Sequence, residues 1–201
     1  MNDQADIALF DMDGTLADYD KAMYKSLLAI HSEYEPPLDF ERIHDLPPAY
    51  DARRDLIKRV PGWWLDLDQF KLGFDVLDEA HALGYELHIL TKGPRRVSQG
   101  WKEKVEWCNE NIQYEVQIAI VSMKEYTYGK LLVDDFPPYC NAWLHRRPRG
   151  YVIAPAHSYN TLDKFDESVR ARVLRYDGTN LEEVRALLKQ IKDRKPGESL
   201  Q

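Results

Sequence analysis

Apolar residues fall along the chain in two rhythms. Short apolar runs at 7–10, 85–90, 116–121, 131–133 and 150–154 read as buried strands. Between them, helical spacing predicts helices over 21–34, 69–83, 96–110 and from about 180 onward. The second of these places Phe70, Phe74, Leu77, Ala80 and Leu83 on an inner face, with Asp68 as N-cap and Gly84 just past the end. The third presents Val97, Trp101, Val105 and Cys108 on one side. The last opens on a capping-box pattern, Asn180 with Glu183, and lines up Leu181, Val184, Leu187, Leu188 and Ile191. Pro36-Pro37, Pro47-Pro48 and Pro61-Gly62 punctuate the stretch 20–62, which reads as a compact helical insertion.

Strands alternating with helices predict an α/β fold, a doubly wound parallel sheet with the first strand central. The expected organisation is a core of residues 1–19 and 63–201 carrying a small helical cap, 20–62. In such sheets ligands bind beyond the carboxyl ends of the strands. The polar residues that close the apolar runs are therefore the ones to weigh: Asp11 and Asp13, Thr91, Lys124, and Asp134 with Asp135.

Composition narrows the chemistry. A net charge of −7 argues against general affinity for nucleic acid or anionic membranes, though a small anionic substrate remains open. The two cysteines, Cys108 and Cys140, have neither disulfide-framework nor zinc spacing. No apolar run approaches membrane-spanning length, and residues 1–6 lack the regions of a signal peptide, so the expected compartment is the cytoplasm.

Two acids at the mouth of a buried strand are costly to desolvate without a cation or hydrogen bonds. Mg²⁺ favours carboxylates, waters and phosphate oxygens. Asp11 can attack phosphorus as a carboxylate nucleophile, and Asp13 can protonate the leaving oxygen and then deprotonate water. Lys124 and the Thr91 hydroxyl can hold phosphoryl oxygens. A calcium loop starting at Asp11 would need Gly and Glu where Leu16 and Ala22 stand. A phosphate-accepting receiver domain would place its paired acids before the phosphorylated aspartate, the reverse of the order here.

Asp11-Met12-Asp13-Gly14-Thr15, Thr91, Lys124 and Asp134-Asp135, in that order, resemble the four motifs of the haloacid dehalogenase superfamily of phosphatases. Within it, the run from Asp11 through Leu16-Ala17-Asp18-Tyr19 and the interval from Lys124 to Asp135 are most similar to the 5′(3′)-deoxyribonucleotidases. The resemblance implies Asp11 as nucleophile and Asp13 as general acid/base. It implies a Mg²⁺ site drawn from Asp11, Asp13 (through its backbone carbonyl), Asp134 and Asp135. It makes Thr91 and Lys124 phosphate-binding, and Tyr19 a border of base and sugar; Tyr50 is a further pocket candidate. One departure stands out: Lys92 occupies the position where that family has serine, with Arg95 and Arg96 close behind, and this extra positive charge either makes Lys92 phosphate-binding toward a second phosphate or faces solvent.

The function expected is Mg²⁺-dependent hydrolysis of a small phosphomonoester, foremost a (deoxy)nucleoside monophosphate, through an aspartyl-phosphate. The alternatives are another small phosphomonoester, a polynucleotide 3′-phosphate, or a catalytically silent binding protein of the same fold. No membrane partner and no stable nucleic-acid binding are expected, and a homodimer is compatible with the reading. The cluster His145-Arg146-Arg147-Pro148-Arg149 reads as a solvated loop, and His157 has no catalytic pairing visible in the sequence.

Overall fold

The computed structural model describes residues 5–95 and 97–194. Six strands form one parallel sheet: β1 (Ile7–Phe10), β2 (Glu86–Thr91), β3 (Gln117–Ile120), β4 (Leu131–Val133), β5 (Tyr151–Pro155) and β6 (Val173–Tyr176), in the order β3-β2-β1-β4-β5-β6. Phe10 pairs in register with Ile89 on one side and Val133 on the other. The sheet order therefore reverses direction at β1, and the crevice beyond the carboxyl ends of β1 and β4 is where ligands bind in such sheets.

Both faces are buried, which is why the strands read as near-continuous apolar runs. Ala8, Phe10, Ile89 and Val133 face a core closed by α3 (Lys71–Ala82), α4 (Ser98–Asn111) and α7 (Leu181–Asp193). Leu9, Leu90, Leu132 and Val152 face the opposite core, where α5 (Pro137–Arg146) contributes Cys140, Trp143 and Leu144 and the short α6 (Glu167–Arg170) contributes Val169. Both cysteines are buried and free.

Between β1 and α3 the chain forms α1 (Tyr19–Ala29), a 3₁₀ segment (Phe40–Asp45) and α2 (Ala49–Ile57). Met23, Leu27, Ile43, Tyr50 and Ile57 give this segment a small apolar core of its own.

Several elements depart from the sequence expectation. The strand β6 went unread because it is short, half-buried and interrupted by Arg175. The α3 N-cap residue is Phe70, not Asp68, whose carboxylate pairs with Lys21 at 2.9 Å instead. At the start of α7 the Asn180 side chain caps no helix amide; its amide donates to Glu183 and its oxygen accepts from the Asp177 N–H. Trp101 points outward, 45% exposed, and the buried side of α4 instead carries Gly100, Glu103, Lys104, Trp107 and Cys108. His145 and Arg146 belong to the last turn of α5 rather than to a loop.

Candidate active site

The loop leaving β1 is wound tightly: the Thr15, Leu16 and Ala17 N–H groups all donate to the Met12 carbonyl, at 3.2, 2.8 and 2.8 Å. Met12 is fully buried, so the side chains of Asp11 and Asp13 on either side of it turn toward the crevice. Gly14 adopts φ +76°, and a Cβ there would sit 2.6 Å from the Asp135 carboxylate; only glycine allows this approach.

Asp11, Asp134 and Asp135 bring one carboxylate oxygen each within 4.8 Å of one another, all three buried. Lys124 reaches in from beyond β3 and donates to Asp11 and Asp134, both at 2.7 Å. Burial would lower its pKa, but these two carboxylates hold it above the ordinary lysine value. The other Asp134 oxygen accepts from the Phe136 N–H at 3.0 Å, so both its oxygens are engaged. Asp135 accepts from Thr15 Oγ1 at 2.8 Å and from Tyr159 Oη at 2.5 Å.

Burial, reinforced by Asp11, pushes Asp135 up to about 7, and burial likewise lifts Asp134 up to about 7 against the pull of Lys124. Four carboxylates (Asp11, Asp13, Asp134, Asp135) thus share the charge of two ammoniums, those of Lys124 and Lys104. A divalent cation with a preference for hard oxygen ligands fits that donor set and that deficit of positive charge.

Lys104 is the residue that sequence reasoning missed. It is wholly buried on α4, ion-paired to Asp13 Oδ2, and donates to Thr91 Oγ1 at 3.1 Å. Its ammonium also lies 4.5 Å from the Trp64 ring centroid. The neighbouring Glu103 accepts from the Gly62 N–H at 2.8 Å and fixes the segment that delivers Trp64. Asp13 Oδ1 is left buried without a hydrogen-bond partner. Partial burial raises the Asp13 pKa, Lys104 pulls it back, and Asp11 raises it further.

A second missed group follows β5. Tyr159, held as a neutral phenol by burial and the adjacent Asp135, stacks on His157 (4.9 Å between centroids) and meets His44 at a tilt of 56° (4.1 Å). His157 Nε2–H donates to the Gly14 carbonyl at 2.6 Å, and His44 pairs with Asp20 at 2.9 Å. This column joins the 3₁₀ segment to the Asp11–Gly14 loop. The sequence held only a His-Ser-Tyr-Asn run in a loop, without periodicity to mark it.

Asp11, Asp13, Lys124, Asp135, Tyr19 and Lys92 all line one cavity of about 480 Å³ between the sheet edge and the 19–64 segment. Thr91 does not line it; its hydroxyl is buried behind Lys104. Asp134 is likewise set back, as the partner of Lys124. Tyr50 is packed in the small core on α2 beneath Arg53 and does not reach the cavity. Trp64 lines it, while Trp63 packs edge-on against Tyr19. Lys92 and Arg95 stand on the outer wall; Arg96 lies outside the described residues.

No protein-family model matches the chain. It is 27% identical over 161 residues to a protein of Bordetella bronchiseptica named "Putative 5′(3′)-deoxyribonucleotidase", covering 77% of this chain and 85% of that one. Among solved structures, one described as a dehalogenase superposes with a TM-score of 0.57 at 15% identity, covering 93% of this chain and 98% of the other. Another, from Bacteroides fragilis and named "Putative haloacid dehalogenase-like hydrolase", superposes with a TM-score of 0.53 at 12% identity, covering 90% and 100%. The fold is the haloacid dehalogenase-like one. Among the described residues no helix is long and apolar enough to cross a membrane.

Proposed function

We propose that this chain is a phosphomonoesterase that transfers a phosphoryl group from a nucleoside monophosphate to Asp11 and then to water. The observation that carries the reading is the convergence of Asp11, Asp13, Asp135 and Lys124 on one cavity at the carboxyl end of β1. The name of the Bordetella relative supports a nucleotide as the ester.

In this reading Asp11 attacks phosphorus with the carboxylate that Lys124 orients, and the leaving oxygen departs in line. Lys124 stays charged and faces the anionic phosphoryl oxygens, stabilising charge that builds on them. Asp13, its carboxyl lifted above the usual range, gives a proton to the leaving oxygen and later takes one from the attacking water. The unpartnered Oδ1 is the oxygen left free for that exchange, because Oδ2 is tied to Lys104. Asp11, Asp135 and the Asp13 carbonyl would hold a Mg²⁺ ion, with Asp134 set behind them as the anchor of Lys124. When bound, that ion neutralises charge between nucleophile and phosphate. Tyr19 and Trp64 offer aromatic surface for a base, and the 20–62 segment closes over the cavity as a cap.

The test is phosphate release from a panel of nucleoside monophosphates and sugar phosphates, with Mg²⁺ or with EDTA. Release from nucleotides with Mg²⁺ alone is expected. Release from sugar phosphates only would remove the nucleotidase assignment. Tyr159→Phe removes one of the two hydroxyls that orient Asp135, and loss of such an outer contact weakens metal binding by about 10-fold or more. Calorimetric titration with Mg²⁺ should show that loss, and an unchanged affinity would detach Tyr159 from the metal site.

A further inference from the structure

Among the described residues, nearly every acid lining the cavity has a basic partner. Lys124 serves Asp11, Lys104 serves Asp13, His44 serves Asp20 and Lys58 serves Asp55. Asp135 is held by the Thr15 and Tyr159 hydroxyls. Two cations on the cavity wall have no acidic partner among the described residues: Lys92 donates to the Tyr139 phenol at 2.9 Å, and Arg95 stands exposed beyond Gly93-Pro94.

Lys92 follows the last residue of β2, so its backbone is fixed at the sheet edge. Its ammonium lies 5.3 Å from the Tyr139 ring centroid, and that of Lys124 lies 4.9 Å from the same centroid. The inner lysine is buried among carboxylates, whereas Lys92 and Arg95 are exposed and keep their hydration until a ligand arrives. The uncompensated positive charge is thus displaced outward from the point where phosphoryl transfer would occur.

Resting on the phosphomonoesterase reading, we propose that the preferred ester carries a second phosphate, seated on Lys92 and Arg95. A guanidinium presents paired donors that match phosphate oxygens, and an ammonium adds a point charge beside it. Nucleoside bisphosphates and sugar bisphosphates share that chemistry, and their scaffolds differ.

The experiment compares kcat/KM for 2′-deoxyadenosine 5′-monophosphate and its 3′,5′-bisphosphate, and for fructose 6-phosphate and fructose 1,6-bisphosphate, at fixed ionic strength with Mg²⁺. In at least one pair the bisphosphate is expected to be favoured by about tenfold; the pair that shows it identifies the scaffold. The Lys92→Gln/Arg95→Gln double variant should erase the advantage and change monophosphate turnover by less than about twofold. Equal values in both pairs would overturn the inference while leaving the phosphomonoesterase reading intact. Equal losses on both members of a pair would overturn it too, assigning these cations to the transferred phosphate. Failure to hydrolyse any ester would instead strike the phosphomonoesterase reading. Calorimetric titration of the Asp11→Asn variant reads the same contrast as binding: tighter bisphosphate binding, lost when Lys92 and Arg95 are also replaced, supports the second site, and equal affinities overturn it.

Discussion

Asp11→Asn is expected to lower phosphate release by about 10³-fold or more at saturating nucleotide. An amide has the shape of the carboxylate but lacks its nucleophilic electron density, so loss of attack is the main change. Lys124 keeps its bond to Asp134 in the variant, so no buried ammonium is stranded. The melting temperature should therefore stay within a few degrees of the parent, and the measurement is kcat beside a thermal melt. Retained turnover in a folded Asp11→Asn protein would rule out covalent attack by this residue.

Lys104→Met is expected to act selectively. The methionine occupies the space of the lysine stem but releases Asp13 Oδ2, and with it the orientation of Oδ1. General acid catalysis is worth about 10²- to 10⁴-fold where the leaving oxygen needs a proton. kcat/KM for nucleoside monophosphates, which release an alcohol, should fall by about 10²-fold. In kcat/KM, which reports transfer to Asp11 and not the later attack of water, p-nitrophenyl phosphate, whose leaving group departs as a stable anion, should lose less than about threefold. Asp13→Asn should reproduce the pattern with a larger loss on the nucleotides. A uniform fall in kcat/KM on both substrates would make Lys104 a packing residue and no more.

Much of this architecture is legible along the chain because the acids stand directly at strand ends. Asp11 follows β1 and Asp134 follows β4, so the topology brings them together without any need to know the packing. Helix α4 shows where that legibility stops. Gly100, Lys104 and Cys108 share its inner side at a spacing of four, but a lysine at such a position reads as solvated, and Trp101 attracts the apolar stripe to the wrong side. The carboxylate of Asp13, with the Thr91 hydroxyl and the Trp64 ring beside it, all supplied by other elements, makes burial of that ammonium tolerable. Tyr50 failed as a pocket candidate for the converse reason: the small core of the 19–57 segment needed an aromatic, and it took that one. His157 and Tyr159 sit in a loop, where neither period applies, and their hydrogen bonds to Gly14 and Asp135 exist only once β5 lies beside β4.

The claim that Asp11 becomes phosphorylated can be read from a single trapping measurement. The protein would be mixed with a nucleoside monophosphate and Mg²⁺, quenched in acid within one turnover, reduced with borohydride and mapped by peptide mass spectrometry. An aspartyl-phosphate is reduced to homoserine, so homoserine at position 11 is the predicted result. Substrate turnover with Asp11 unmodified, or with the label on another carboxylate, would contradict it.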